Sequence, residues 1–121
     1  MSPRHKIVRD HGGCEAREIL DLVGDKWSVY VVAVLSDGAL RFSALRRRID
    51  GISQRMLTLT LRGLERDGLV TRTVHATVPP SVEYALTRLG RTLIAPVMGL
   101  VAWAEKNRAR IADARAQFDR R

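Results

Sequence analysis

A chain of 121 residues, 45% of them hydrophobic, suits one domain with a core of its own and does not have the composition of a disordered segment. No apolar run reaches the roughly 18 residues that a membrane span needs. The N-terminal stretch "MSPRHKIVRDHGG" lacks the apolar centre of a signal peptide, so a cytoplasmic protein is expected. A net charge of +8 favours nucleic acid or an anionic surface as partner, and a single cysteine, Cys14, excludes an internal disulfide framework.

Residues 1–13 read as a loose arm, polar and basic, ending in Gly12-Gly13. From Cys14 to Val23 the apolar positions Ile19, Leu20 and Val23 have helical spacing, Gly24 ends that helix, and Asp25 can cap the next. "KWSVYVVAVLSDG" contains a β-branched run, Val29 to Val34, that would suit a buried strand. The bounding Asp25 and Gly38 favour a buried helix instead, with Trp27 in the core. "ALRF" is long enough only for a scrap of strand. "FSALRRRI" is a short helix with Phe42, Leu45 and Ile49 inward, and "DGI" is a tight turn.

The next stretch, "SQRMLTLTLRGLERDGLV", carries two signals. Its centre alternates like a half-buried strand, but a strand of about 15 residues is far longer than usual. Ser53 is a good N-cap, Leu57, Leu61 and Leu64 recur on one helical face, and Gly68 suits the left-handed C-cap position. The spacing therefore predicts a helix over 53–67. Its other face holds Gln54, Arg55, Thr58, Leu59 and Arg62, and Gln, Arg and Thr are side chains that reach phosphates and base edges. After Gly68, "LVTRTVHA" and "SVEYALT" alternate around "TVPP" as a β-hairpin, with Val70 and Val74 on one face and Val82, Tyr84 and Leu86 on another. Thr87 caps a last helix with Leu89, Leu93, Val97, Leu100, Val101 and Ala104 on its apolar side, which Pro96 is expected to kink. From Lys106 the tail is helical in pattern but polar.

The charge is segregated along this order. Residues 41–73 hold eight arginines against Asp50, Glu65 and Asp67, a net of +5, whereas residues 14–40 carry five acids against Arg17 and Lys26, a net of −3. Every basic residue of the first segment is arginine, whose fork suits phosphate and guanine. The element order is that of a winged helix-turn-helix: mainly α with a small β-hairpin, and extra N- and C-terminal helices. Such a fold lays its second helix in a major groove and its hairpin along the backbone, although it also serves protein–protein contact.

The chain resembles the HxlR-type winged helix-turn-helix transcriptional regulators of bacteria and archaea. The resemblance runs from Cys14 to about Trp103, on "ILDLVGDKW", "RFSALRRRIDGISQRMLTLTLRGLERDGLVTR", "VPPSVEYALTRLG" and Trp103 in order. It implies a homodimer formed largely by the first and last helices and bound to an inverted-repeat operator in double-stranded DNA. It places the recognition helix at 53–67 and the wing at 75–83. Several members of the family sense oxidants or electrophiles through a cysteine near the N-terminus, where Cys14 stands. Proline is common in the family where this chain has Glu15, and a basic residue where it has Ser81. The expected domain spans 14–104, with residues 105–121 a polar helical extension or tail.

The candidate DNA contacts are Arg55, Thr58 and Arg62 on the outward helix face, Ser53 and Gln54 at its N-terminus, Arg41, Ser43 and Arg46 around the short helix, and Arg72, Thr77 and Ser81 on the hairpin. The bland reading of each is a solvated surface, and Ser53 as a cap alone. Leu93, Val97, Leu100, Val101 and Trp103 offer more apolar surface than one small domain covers; with Ile19 of the first helix they are the candidate dimer contact. Cys14 is either a small buried hydrophobe or a reactive thiol that answers an oxidant or small-molecule effector. His11, Cys14 and His5 fall short of the four ligands a zinc ion usually takes, and no third group completes a Cys–His nucleophile. No metal, cofactor or catalytic residue is expected. The rival function is a winged-helix module that binds protein without specific DNA recognition.

Overall fold

The computed structural model describes the backbone of residues 14–121 and the side chains from residue 16 onward. The arm expected over residues 1–13 and the side chain of Cys14 lie outside the described residues. The elements run α1 (Cys14–Val23), α2 (Lys26–Leu35), β1 (Leu40–Arg41), α3 (Phe42–Arg48), α4 (Gln54–Arg66), β2 (Val70–His75), β3 (Ser81–Leu86), α5 (Arg88–Arg91) and α6 (Ile94–Asp119).

The strand-like run Val29–Val34 is helical in α2, and its position explains its composition. Asp25 caps the helix by accepting from the Trp27 N–H at 3.0 Å. Val31 and Leu35 pack into the main core with α4, while Val29 and Val32 pack on the opposite side against Val97 of α6. A helix enclosed on two sides must be apolar nearly all round, and β-branched residues fill that role. Trp27 is only partly buried and packs against the main core from its edge.

α4 is set by its ends and by one face. The Ser53 hydroxyl accepts from the Met56 N–H at 3.0 Å. Gly68 takes a positive φ of 76°, with Gly68 N–H donating to Glu65 C=O and Leu69 N–H to Leu64 C=O, the paired closure that a left-handed glycine permits. Leu57, Leu61 and Leu64 are 0–1% exposed, and Thr60 is buried beside them. Leu59 is 51% exposed, as the helical period requires and the strand period forbids.

The hairpin β2–β3 has the register Val70↔Leu86, Arg72↔Tyr84 and Val74↔Val82. The expected two-stranded hairpin is in fact the larger part of a three-stranded sheet of order β1-β3-β2. β1 pairs with the free edge of β3 through Leu40↔Tyr84 and Arg41↔Glu83. Main-chain pairing needs no side-chain pattern, so two residues suffice. Val74 shares its face with Val70 but is 55% exposed, because the distal hairpin runs past the helices that cover Val70.

The last helix differs from the expectation at its start. Thr87 caps a single short turn, α5, by accepting from the Gly90 N–H, and its own hydroxyl donates to the Gly68 carbonyl. A Cβ on Gly90 would collide with the Leu69 carbonyl oxygen, so the glycine lets α5 seat against the end of α4. The chain then turns at Thr92 and α6 begins at Ile94. Pro96 therefore sits in the first turn of a new helix, where its missing N–H would have no intrahelical partner, and does not act as an internal kink. The polar tail is helical to Asp119, so α6 spans 26 residues, about 39 Å at the usual rise.

If the rotation of α4 is as described, Leu61→Ala lowers stability by roughly 2–5 kcal/mol as a core truncation. Leu59→Lys leaves the melting temperature within a few degrees of the parent. Thermal melting of both variants is the check; equal unfolding by the two would restore the strand assignment.

Candidate nucleic-acid interface

The short strand β1 has a consequence for the basic surface. Arg41 is the last residue of β1 and the N-cap of α3, so pairing with β3 holds the start of α3 beside the hairpin. An open groove of about 470 Å³ results, lined by Arg41, Phe42 and Ser43 from the β1–α3 junction, Gln54 and Thr58 from α4, and Pro80, Ser81, Val82 and Tyr84 from the hairpin. Five of the residues singled out in the sequence thus line one concavity. A second groove of about 460 Å³ adjoins it, where Phe42, Ser43, Arg46 and Arg47 face Gln54. Phe42 and Tyr84 form the floor, with ring centroids 6.4 Å apart. The sequence reading missed the wall residues Pro80 and Arg47; Pro80 was visible at the hairpin tip, but its approach to α4 needed the β1–β3 pairing.

Arg55, Arg62 and Leu59 lie on the outward face of α4 and are exposed, as are Gln54 and Thr58. The Thr58 hydroxyl donates to the Gln54 carbonyl at 2.9 Å. Its proton is therefore committed to the helix, and what it offers outward is an acceptor oxygen and a methyl group. Ser53 is both cap and candidate contact, since its oxygen accepts from Met56 while its proton stays available. The N–H groups of Gln54 and Arg55, in the first turn, have no intrahelical acceptor and face a would-be anion.

Among the described residues the ion pairs are Arg48–Asp37 at 3.8 Å, Arg108–Glu105 at 3.8 Å and, with histidine protonated, His75–Glu83 at 3.5 Å. Arg41, Arg46, Arg55, Arg62 and Arg72 take part in none of them. Exposed guanidinium groups without a carboxylate partner leave this surface positive. Arg72 lies midway along β2 opposite Tyr84 and lines neither groove. At the hairpin tip, Thr77 Oγ1 donates to the Pro79 carbonyl at 2.8 Å and lies 3.5 Å from Ser81 Oγ. These two hydroxyls brace the tip from within, and only Ser81 reaches the groove.

The pattern of turn, capped helix and hairpin recurs in known proteins. The model of the HxlR-like helix-turn-helix family matches residues 22–112. The chain belongs to that family. It is 45% identical over 108 residues to the HTH-type transcriptional regulator YybR of Bacillus subtilis, covering 89% of this chain and 86% of that one. The solved structure of the transcriptional regulator ytfH from Salmonella typhimurium superposes with a TM-score of 0.79 at 40% identity, covering 84% of this chain and 90% of that one. The redox regulator HypR in its oxidized form superposes with a TM-score of 0.72 at 47% identity, covering 78% of this chain and 97% of that one.

In this HxlR-like chain the apolar surface away from the grooves is divided differently from the expectation. Val97 is buried in its own subunit against Val29 and Val32, and Leu93 and Val101 pack against the same cluster. These three side chains pack within the chain itself, and Val97 is only 5% exposed. A stripe at helical spacing does not tell whether the covering surface is internal or external. Ile19, Leu100 and Trp103 remain more than half exposed, joined by Leu20 and Leu89, which the sequence reading did not assign to a contact. Ile19, Val23, Leu69, Leu89 and Leu93 line an apolar groove of about 420 Å³ with Asp67 and Thr92. No helix among the described residues is long and apolar enough to cross a membrane.

The double duty of Ser53 generates a stability test. Ser53→Ala removes the cap and lowers stability by about 1 kcal/mol, while Ser53→Asp restores it through the same bond to the Met56 N–H. Chemical denaturation of the two variants measures this directly.

Proposed function

We propose that this member of the HxlR-like family is a homodimeric, sequence-specific DNA-binding regulator of transcription that acts in the cytoplasm on an inverted-repeat operator and catalyses no reaction. The observation that carries the proposal is the outward face of α4. Arg55 and Arg62 stand there opposite three fully buried leucines, while Gln54 and Thr58, on the flank of the same face, line a groove with Arg41, Ser43 and Ser81. A helix in a major groove needs both features: a face that holds its rotation and a face of bidentate and acceptor groups for base edges. Arg46 and Arg47 beside the groove supply charge for the flanking phosphates, and the hairpin supplies the wing.

The exposed apolar side chains Ile19, Leu20, Leu89, Leu100 and Trp103, with the apolar groove that Ile19 and Leu89 line, supply the surface for the second copy. A twofold axis there would present two copies of α4 to two half-sites. The likeness to HypR, a redox regulator solved in oxidized and reduced forms, supports an oxidant-responsive role for Cys14, which stands at the start of α1. Thiolate reactivity rises at helix N-termini. A winged helix that binds only protein would show no salt-dependent affinity for duplex DNA, and that result would replace the proposal.

Two groups of variants test it by kind of effect. Arg55→Ala weakens specific binding by roughly 1–3 kcal/mol and relaxes preference at one position in each half-site. Arg46→Ala weakens binding to all sequences alike and reduces the salt slope by about one unit per contact in each subunit. Titrations against matched and mismatched duplexes at two salt concentrations separate the two. For Cys14, mild oxidation changes the DNA affinity of the parent but not that of Cys14→Ser, whose reduced affinity equals the parent's. An identical response from both proteins would leave the cysteine a structural residue.

A further inference from the structure

The outward face of α4 contains one side chain that neither hydrogen bonding nor charge explains. Leu59 is 51% exposed. At 100° per residue it points almost directly away from the buried stripe of Leu57, Leu61 and Leu64. Its neighbours one turn away are Arg55 and Met56 before it and Arg62 and Gly63 after it, with Arg66 two turns after; the three arginines and Met56 are exposed. Among the described residues Leu59 belongs to neither core cluster, and arginines flank it along the outward face. Leu59 is not among the residues that line the apolar groove beside the surface assigned to the second copy.

The rest of the face says what would cover it. Thr58, beside Leu59, is exposed and has its hydroxyl proton tied to the Gln54 carbonyl, so it brings no free donor to this part of the face. In a major groove the only apolar group on a base edge is the C5-methyl of thymine, and aliphatic side chains contact it without a hydrogen bond. The arginines around Leu59 are suited to guanine edges and phosphates on either side.

Resting on the assignment of α4 as the recognition helix, we propose that Leu59 is a specificity-determining residue that reads a thymine methyl group near the centre of each half-site. The contact excludes water from one methyl group per half-site and discriminates thymine from cytosine at a position where no protein donor or acceptor is aimed. It also makes a sharp demand on the operator: a thymine flanked by positions read by Arg55 and Arg62.

The test uses an operator selected from random duplexes with the parent protein. Each thymine of one half-site, and its symmetry mate, is replaced by uracil, which removes the methyl group and leaves every hydrogen-bonding edge intact. At one symmetric position the parent should lose roughly fourfold in affinity per half-site, the worth of one buried methyl. Leu59→Ala should bind the thymine and uracil operators equally, with an unchanged melting temperature. Arg55→Ala should keep the sensitivity to uracil at that position. Specific binding by the parent that is indifferent to uracil everywhere would overturn the thymine assignment while leaving the DNA-binding function standing. Equal sensitivity in the parent and in Leu59→Ala would move the methyl contact to another residue. Wild-type affinity and specificity in Leu59→Ala would overturn the assignment of Leu59 as a specificity residue. Failure to select any operator at all would overturn this inference together with the regulator function on which it rests.

Discussion

Burial of Leu57, Leu61 and Leu64 against α2 and the sheet is the constraint on which the rest of the molecule depends. Rotation of α4 by one residue, about 100°, would expose those leucines and drive Arg55, Arg62 or Thr58 into the core. Each leucine contributes roughly 1.5–3 kcal/mol by burial, and an arginine buried without a partner costs more than any one of them returns. The helix therefore has a single rotation, and its outward residues hold their places without any interaction of their own. This is preorganisation obtained from the core, and it leaves the outward face free to vary in chemistry without risk to the fold.

The ends of α4 and its neighbours convert that fixed rotation into a site. Ser53 and Gly68 set where the helix starts and stops. Thr87, bonded at once to Gly68 and to the N–H of Gly90, ties the far end of the hairpin to the end of α4. The near end is tied by β1, whose two residues hold the start of α3 along the edge of β3. Turn, helix and wing are joined at three points, so the groove lined by Arg41, Ser43, Gln54, Thr58 and Ser81 is a property of the fold and not of any one loop.

Much of this was legible in the residues themselves. The caps at Asp25, Ser53 and Thr87, the glycine at 68 and the leucine stripe of α4 are local signals with local causes, and each acts in the structure as its chemistry dictates. The strand content was less legible, because β1 is held by main-chain pairing with β3 that leaves no pattern in two residues. Pro96 was misplaced for a related reason. A proline marks a backbone position lacking a donor, which suits a first turn as well as a kink, and only the break at Thr92 decides between them. Val97 shows the limit of periodicity, since an apolar stripe reports that a face is covered and not by whom. The grouping of Arg41, Ser43 and Ser81 around Gln54 and Thr58 came from topology, whereas their chemistry was evident in the sequence.

The central claim is that the outward face of α4 enters a major groove in each subunit of a dimer. Dimethyl sulfate protection on a selected operator tests it most directly, because guanine N7 lies in the major groove. The recognition-helix assignment predicts protected N7 positions in two inverted half-sites whose centres are a whole number of helical turns apart, roughly 10–10.5 base pairs each, with protection lost in Arg55→Ala only at the one guanine of each half-site that faces this side chain. Specific binding with every guanine N7 as reactive as in free DNA would contradict it.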